Sequence, residues 1–412
     1  MPELDLRDGH ALRRPRSPAV PPRQLDRPRT ERRPVLPSSV CLYTCSVNPS
    51  GMGVHMLALA RHLVEAGVRV LVAYWPAEAA EALMSQAGSL GATTVRTPHP
   101  RDPAYARELT ALLAEHAPDI CHVHVGTGRE DFGGARAAKA AGVPVVVETL
   151  HLPWLLHARW KREAFFASLD AVDQLVVVSA AQRATYERIG VAPHRLVTVP
   201  NGVVPRGPGP GRVAARHRLG LGPAVPVVIT VGRLVAQKGH RDLIDAVPVI
   251  RRDHPDVTVV IVGDGRMRGP LEDRARRRGV GDAVRLVGHR DDARALLDAA
   301  DVFALPSLEE AMPMAALEAM DAALPVVATR VIGTTEVVQD GVTGRLVPPH
   351  DPEALAGAIS ELLADADLRR HLGRGGRQAF EARFTARRMA TDTLAVYRQA
   401  LQAATVRARV AP

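Results

Sequence analysis

From Val40 onward the chain alternates short runs of Val, Leu and Ile with helical stretches, and it does so twice. Apolar runs fall at 40–47, 68–74, 120–125, 143–148 and 175–179, and a run at 196–203 carrying VPNGV closes the first series. A second series runs through 227–231, 257–262, 284–287, 302–305, 326–329 and 345–347. Strands separated by helices of roughly ten to twenty residues form βαβ units and a parallel sheet. The expected fold is therefore α/β, with two similar units meeting at a hinge near Asn201-Gly202. Ligands of such sheets bind at the carboxyl ends of the strands, so the cleft between the units is the expected site.

Five segments follow from this pattern. Residues 1–36 are rich in Arg and Pro without apolar periodicity and read as a disordered basic arm. Residues 37–205 are the first unit, 206–225 a Gly-, Pro- and Arg-rich linker, 226–385 the second unit, and 386–412 a crossing helix and tail.

Composition narrows the function. The chain has 412 residues, 46% hydrophobic but only 3% aromatic, so its cores rest on aliphatic side chains, as strands buried on both faces require. The net charge of +9 lies largely in the basic arm, which lacks the aromatic residues that nucleic-acid binding uses, so no nucleic-acid partner is expected. Cys41, Cys45 and Cys121 are too few and poorly spaced for a zinc site or a disulfide framework; they read as reduced core thiols of a cytoplasmic protein. No run approaches the length of a membrane span and no secretory signal is visible, which leaves only peripheral contact with the inner membrane face open. The basic run Arg274, Arg276, Arg277, Arg278 reads as a solvated helix face.

Chemistry concentrates at 306–320, PSLEEAMPMAALEAM, which follows the strand at 302–305. Ser307 and Glu309 sit as an N-cap and a first-turn acid would, which starts the helix near Met312 or Pro313. Glu310 and Glu318 are eight positions apart, so both face nearly the same way at heights about 12 Å apart. The helix amides between them form an anion seat. Carboxylate, anion seat and carboxylate suit a nucleotide sugar, although on spacing alone a helix-dipole partner and a solvated glutamate are the commoner reading, because helices carry many glutamates.

Two further loops follow first strands. Ser50-Gly51-Met52-Gly53 is either a tight strand-to-helix turn or a close approach of backbone to an anion; Met56 replaces the third glycine of a dinucleotide fingerprint. VGRLVAQKG at 231–239 sets Arg233 and Lys238 five residues apart, a fork and a point charge fit to neutralise a diphosphate. Lys238→Ala is expected to abolish turnover with little loss of fold, since a buried structural lysine is not expected there. Gly263-Asp264-Gly265 ends another strand of that half. His122 and His124 share a strand face and read as satisfied core histidines without a third metal ligand.

Taken together, residues 40–400 resemble a family-4 retaining glycosyltransferase of the GT-B fold, two Rossmann-like domains facing across a cleft with a C-terminal helix returning to the first. The resemblance is carried by SGMG at 50–53, HVH at 122–124, ETLH at 148–151, VPNGV at 199–203, VGRLVAQKG at 231–239, VGDG at 262–265 and VRLVGH at 284–289. The 306–320 stretch and GTTEVVQDGVTGRLVPP at 333–349 complete it. It implies that Arg233 and Lys238 bind the donor diphosphate, and that Glu310 contacts sugar hydroxyls, aided by the amides of Ala311, Met312, Pro313 and Met314. It implies Glu318 on the ribose, His151 beside the sugar, and Gly51, Met52 and Gly53 closing over the phosphates. It also implies that Gly232 and Gly263 line the donor pocket and that the base lies against Gly288, His289 and Arg290. Ala311 stands where the family has glycine, a position that would be strained if it required positive φ.

The implied reaction moves a hexose or N-acetylhexosamine from a UDP-sugar, with GDP-mannose second, and uses no metal and no cofactor. The acceptor would be a glycan, a lipid-linked sugar or a small metabolite such as an aminoglycoside. It would meet loops 126–134 and 152–161, which carry Arg129, Glu130, Asp131, Trp154, His157, Arg159 and Trp160. An epimerase, a phosphorylase or a non-catalytic sugar-nucleotide sensor on the same frame are the rival readings.

Overall fold

The structure, a computed structural model, describes residues 36–46, 50–126, 133–152 and 159–410. The basic arm apart from Leu36 lies outside these, as do Arg129, Glu130, Asp131, Trp154 and His157. The first sheet has seven strands: β1 (Ser39–Thr44), β2 (Arg69–Tyr74), β3 (Thr93–Arg96), β4 (Ile120–Val125), β5 (Val145–Leu150), β6 (Gln174–Val177) and β7 (Leu196–Thr198). The second has six: β8 (Val227–Val231), β9 (Thr258–Val262), β10 (Val284–Gly288), β11 (Val302–Leu305), β12 (Val326–Thr329) and β13 (Gly344–Val347). Strand orders are β3-β2-β1-β4-β5-β6-β7 and β10-β9-β8-β11-β12-β13. Every pairing is parallel.

Alternation along each strand sends neighbouring side chains to opposite faces. Cys41 and Tyr43 enter one apolar cluster while Val40 and Leu42 enter another, so β1 is buried on both sides. Each fully buried Val or Leu contributes about 1.5–3 kcal/mol relative to an exposed one. Strand order reverses between β1 and β4 and again between β8 and β11. The crevices that open there, at the carboxyl ends, receive the SGMG, VGRL and PSLEE segments.

Four local expectations need correction. β3 is an additional strand, hidden from sequence because TTVR at the sheet edge is mostly exposed and shows no apolar run. The segment read as a linker contains a helix, Arg212–Arg218, whose Ala215 and Arg216 are buried. Arg216 donates to the Ala299 carbonyl at 3.1 Å and pairs with Asp301, so this segment is docked on the second unit. Gly51, Met52 and Gly53 lie inside the first turn of the helix Ser50–Glu65. The helix after β11 runs Met314–Asp321 with Pro313 as N-cap; Ser307 does not cap it.

The basic run is also tied down: Arg278 reaches Asp245 at 2.7 Å, Arg274 pairs with the same carboxylate, and Arg276 pairs with Asp273. Together these two arginines hold the Asp245 carboxyl below its usual range against the opposing effect of burial.

The C-terminal helix Ala386–Val410 returns to the first sheet, where Met389, Val396 and Tyr397 join the cluster containing Val40 and Leu42. Two segments that cross between the sheets lie side by side. Val203 N–H donates to the Phe384 carbonyl and Ala386 N–H to the Val203 carbonyl, each at 2.9 Å. Gly202 permits that approach, since a Cβ there would overlap the Thr385 carbonyl. No helix among the described residues is long and apolar enough to cross a membrane.

Candidate active site

The two loops of the second sheet that were singled out by sequence are locked to each other. Gly239 takes φ +63°, and a Cβ at that position would overlap the Pro306 carbonyl. Leu308 N–H donates to the Gln237 carbonyl at 2.8 Å, and Gln237 Nε2 donates to the Glu309 carbonyl at 2.8 Å. This packing sets Lys238 Nζ 2.6 Å from Glu310 Oε1, an atom that also accepts from Ser307 Oγ at 2.7 Å. Ser307 is held in turn by Thr329, whose hydroxyl donates to its carbonyl. The Glu310 side chain is 5% exposed and that of Lys238 19%. Lys238 thus neutralises a nearly buried carboxylate, where the sequence leads us to expect no structurally engaged lysine.

Around this pair the other expected residues fall into three groups. Gly232 lies beside the Lys238 side chain, and Gly263 packs so closely on Gly232 that a Cβ would meet its carbonyl. Gly263 N–H donates to the Gly288 carbonyl at 2.8 Å, which brings the end of β10 alongside. His289 there is exposed, and Arg290 is engaged by Asp292 at 2.8 and 3.0 Å. Arg233 is half-buried with no ion pair among the described residues. Its carbonyl accepts from His240 Nε2 at 3.3 Å; burial lowers the His240 pKa to about 4, so the neutral ring donates.

Ala311 and Met312 are buried under the helix Met314–Asp321, and Ala311 does not adopt positive φ. Its replacement of glycine is therefore unstrained, and Gly333, at φ +83°, packs so closely on the Ala311 carbonyl that a Cβ there would overlap it. Glu318 projects from the same helix with a side chain 16% exposed, and Arg294 Nε stands 3.9 Å away. Burial pushes the Glu318 carboxyl up while Arg294 opposes it. Arg294 was not singled out by sequence; it also grips Asp321 at 2.7 Å and the Val204 carbonyl at 2.8 Å.

Among the described residues, Gly51, Asn201 and the helix capped by Ser179 bring the first unit against the second. A Cβ on Gly51 would stand 3.5 Å from Met314 Cγ, so the N-terminal turns of two helices face each other. Asn201 Nδ2 donates to the Met312 carbonyl at 3.1 Å. Glu336 accepts from the amides of Ala180 and Ala181 at 2.9 and 2.7 Å, completing the N-terminus that Ser179 begins to cap.

His151 follows β5 with its N–H on the Val125 carbonyl at 2.9 Å, and its Nε2 lies 3.2 Å from His124 Nδ1. His122 is a satisfied core histidine, bonded to Tyr397 Oη at 2.6 Å and Thr149 Oγ1 at 2.7 Å. His124 is not: its Nε2 has no partner, and His55 joins it and His151 in one cluster. The third imidazole that sequence reading did not find comes from the helix after β1. Asn201 and His55 are too far apart in sequence for spacing to join them, although both lie within or beside quoted motifs.

Comparison with known proteins agrees with this geometry. The description Glycosyltransferase Family 4 fits residues 49–206, and Glycosyl transferases group 1 fits 214–379. The glycogen synthase of Mycobacterium tuberculosis is 34% identical over 297 residues, covering 68% of each chain. The D-inositol 3-phosphate glycosyltransferase of Jonesia denitrificans is 37% identical over 204 residues, covering 47% of this chain and 48% of that one. Among solved structures, Anabaena HepE in complex with UDP-glucose matches with a TM-score of 0.76 at 21% identity, over 87% of this chain and 99% of that one. Sucrose-phosphate synthase from Thermosynechococcus elongatus matches with a TM-score of 0.74 at 23% identity, over 89% and 100%. Two parallel sheets, motifs at the carboxyl ends of their strands, and relatives along both halves lead to one conclusion: the chain belongs to the family-4, group 1 glycosyltransferases and has their GT-B fold.

Proposed function

We propose that this glycosyltransferase moves a hexose or N-acetylhexosamine from a UDP-sugar to an acceptor hydroxyl with retention of anomeric configuration. The observation that carries the reading is the Lys238–Glu310–Ser307 cluster beneath the helix Met314–Asp321. Glu310 Oε1 is occupied by Lys238 and Ser307, which leaves Oε2 to accept from sugar hydroxyls. Arg233 and Lys238 supply positive charge to the diphosphate, and the N-terminal amides of that helix add to it. With the charge carried by these groups, no metal ion is proposed for the diphosphate. Glu318 accepts from the ribose at the far end, and His151 approaches the sugar from the first domain. GDP-mannose is the second choice of donor; HepE, solved with UDP and with UDP-glucose, favours the first.

In the proposed step the acceptor oxygen attacks the anomeric carbon on the face from which the diphosphate leaves. The bond from that carbon to the diphosphate oxygen breaks, and the departing oxygen takes the acceptor proton. No side-chain nucleophile is invoked. Arg233 and Lys238 stabilise the charge that grows on the leaving group, which is where differential binding accelerates the reaction. The acceptor is a hydroxyl of a glycan, a lipid-linked sugar or a small metabolite.

The test is incubation of the purified chain with UDP-, GDP- and ADP-sugars and an acceptor panel, with the product's anomeric configuration read by NMR. Transfer from a UDP-sugar with retention is expected. An inverted product, or turnover of the donor only to an epimer, would remove the reading.

A further inference from the structure

Glu318 is backed by a charge network drawn from four separate segments of the chain. It lies on the helix Met314–Asp321, three residues before Asp321, so two acids share one face a turn apart. The Asp321 side chain is fully buried and surrounded by donors. Its Oδ1 accepts from Arg377 Nη1 at 2.7 Å, and its Oδ2 accepts from Arg294 Nη2 and from the Arg206 amide, each at 2.7 Å. Arg294 Nη2 also donates to the Val204 carbonyl at 2.8 Å, which fixes the guanidinium in place.

Two carboxylates thus face two guanidiniums. Arg377, which also meets Glu381 on its solvent side at 2.6 Å, balances Asp321 from one flank. The charge of Arg294 is therefore shared with Glu318, whose Oε1 lies 3.9 Å from Arg294 Nε. That Nε is buried and has no hydrogen-bond partner among the described residues. A buried donor without an acceptor is costly, and here a carboxylate stands beside it. The separation is too long for a hydrogen bond, but a carboxylate movement of about 1 Å closes it. Stapling Val204 to the helix uses Nη2 alone and does not account for the direction of Nε. The Glu318 side chain keeps 16% of its surface exposed, which leaves it open to a ligand.

We propose that Arg294 is a positioning residue for the nucleoside end of the donor, a role that rests on the ribose lying at Glu318. It holds the Glu318 carboxylate ionised and aimed, so that both ribose hydroxyls donate to it and ribonucleotides are selected over deoxyribonucleotides. An ionised carboxylate only accepts, and its two oxygens suit two neighbouring hydroxyls; protonation turns one of them into a donor. Burial pushes the Glu318 carboxyl up, Arg294 pulls it down, and Asp321 adds to the rise. Of these influences, Arg294 is the one that favours the accepting form.

The test is calorimetric titration of the whole chain, without acceptor, with UDP, GDP and their 2′,3′-dideoxy analogues. For whichever nucleotide binds more tightly, the ribo form should exceed its dideoxy analogue at least ~10-fold, as charge-assisted hydrogen bonds require. Glu318→Gln should erase that preference. Arg294→Met should cut it about 10-fold and leave the affinity for the dideoxy analogue unchanged. Arg294→Gln, which keeps a donor for Asp321 and Val204, should do the same, and Arg294→Lys should recover part of the loss. In a crystal of the unmutated protein with the nucleotide, Arg294 Nε should stand within ~3.2 Å of a Glu318 oxygen. An undiminished ribo preference in a folded Arg294 variant would overturn the inference while leaving the ribose at Glu318. So would an equal loss for both forms of the nucleotide, or an Nε still apart from Glu318 in the complex. No ribo preference in the unmutated chain, or its survival in Glu318→Gln, would remove the ribose from Glu318 and this role of Arg294 with it.

Discussion

Lys238 Nζ lies 2.6 Å from Glu310 Oε1, and the two residues come from loops that follow different strands of the second sheet. The pair is at once a catalytic element in the proposed reaction and an interior charge balance. Lys238→Ala should therefore abolish transfer and also destabilise the fold by ~1–3 kcal/mol, less than for a fully buried pair because the lysine is partly exposed. Adding Glu310→Gln removes the stranded charge. The double variant should regain most of the lost stability in a denaturant titration and remain inactive.

Arg233 differs from Lys238 in having no ion pair among the described residues. Its guanidinium is free to meet a ligand, so Arg233→Ala should cost little stability. Turnover should fall about 10²–10³-fold, the loss typical of one donor to a developing oxyanion. Arg233→Lys should recover only part of it, because a point charge does not replace a bidentate fork. Steady-state kinetics beside thermal denaturation would check both; a large drop in Tm with normal kcat would refute this role.

Glu148 is fully buried in β5, both carboxyl oxygens lack a partner, and burial pushes its pKa up to about 8. The folded state then holds a proton that the unfolded chain releases in the ordinary carboxylate range. Between that range and about pH 8 the native state binds more protons, so stability falls as pH rises, by up to ~1.4 kcal/mol per unit. Glu148→Gln should flatten this part of the profile. Urea titrations from pH 5 to about pH 9 that gave parallel curves for both proteins would contradict it.

Glu336 bonds the first two amides of the helix Ala180–Arg188 in the first domain from a short helix in the second. Glu336→Ala removes a charged N-terminal cap and should cost about 0.5–2 kcal/mol. Because the contact bridges the domains, donor KM should rise as well. A change in stability without any change in KM would mark the contact as purely local.

The two-sheet architecture and the order of site motifs were legible because both rest on local signals. Buried parallel strands are continuous aliphatic runs, and the strands at 227–231, 302–305 and 326–329 have the same limits in the structure. Glycine and cations at short spacing after a strand are likewise a local signal, and the structure packs Gly232, Lys238 and Gly263 together there. Signals that rely on exposure or on composition misled. β3 is polar because it is an edge, and the segment 206–225 looked like a linker because Gly and Pro outweighed the few residues of its helix that are buried.

The amino-acid sequence alone thus determined the fold class, the division into two sheets and the strand ends that carry the glycine-, cation- and carboxylate-rich loops, since hydrophobic periodicity and loop chemistry are properties of neighbours along the chain. Tertiary structure alone decided which side chains share an environment. His55 and His151, Lys238 and Glu310, Ala180 and Glu336 are far apart in sequence and meet only when helices and strands pack. Whether a charge is neutralised, a lone pair left bare or a proton retained depends on those meetings and on the water they exclude. No spacing rule encodes that.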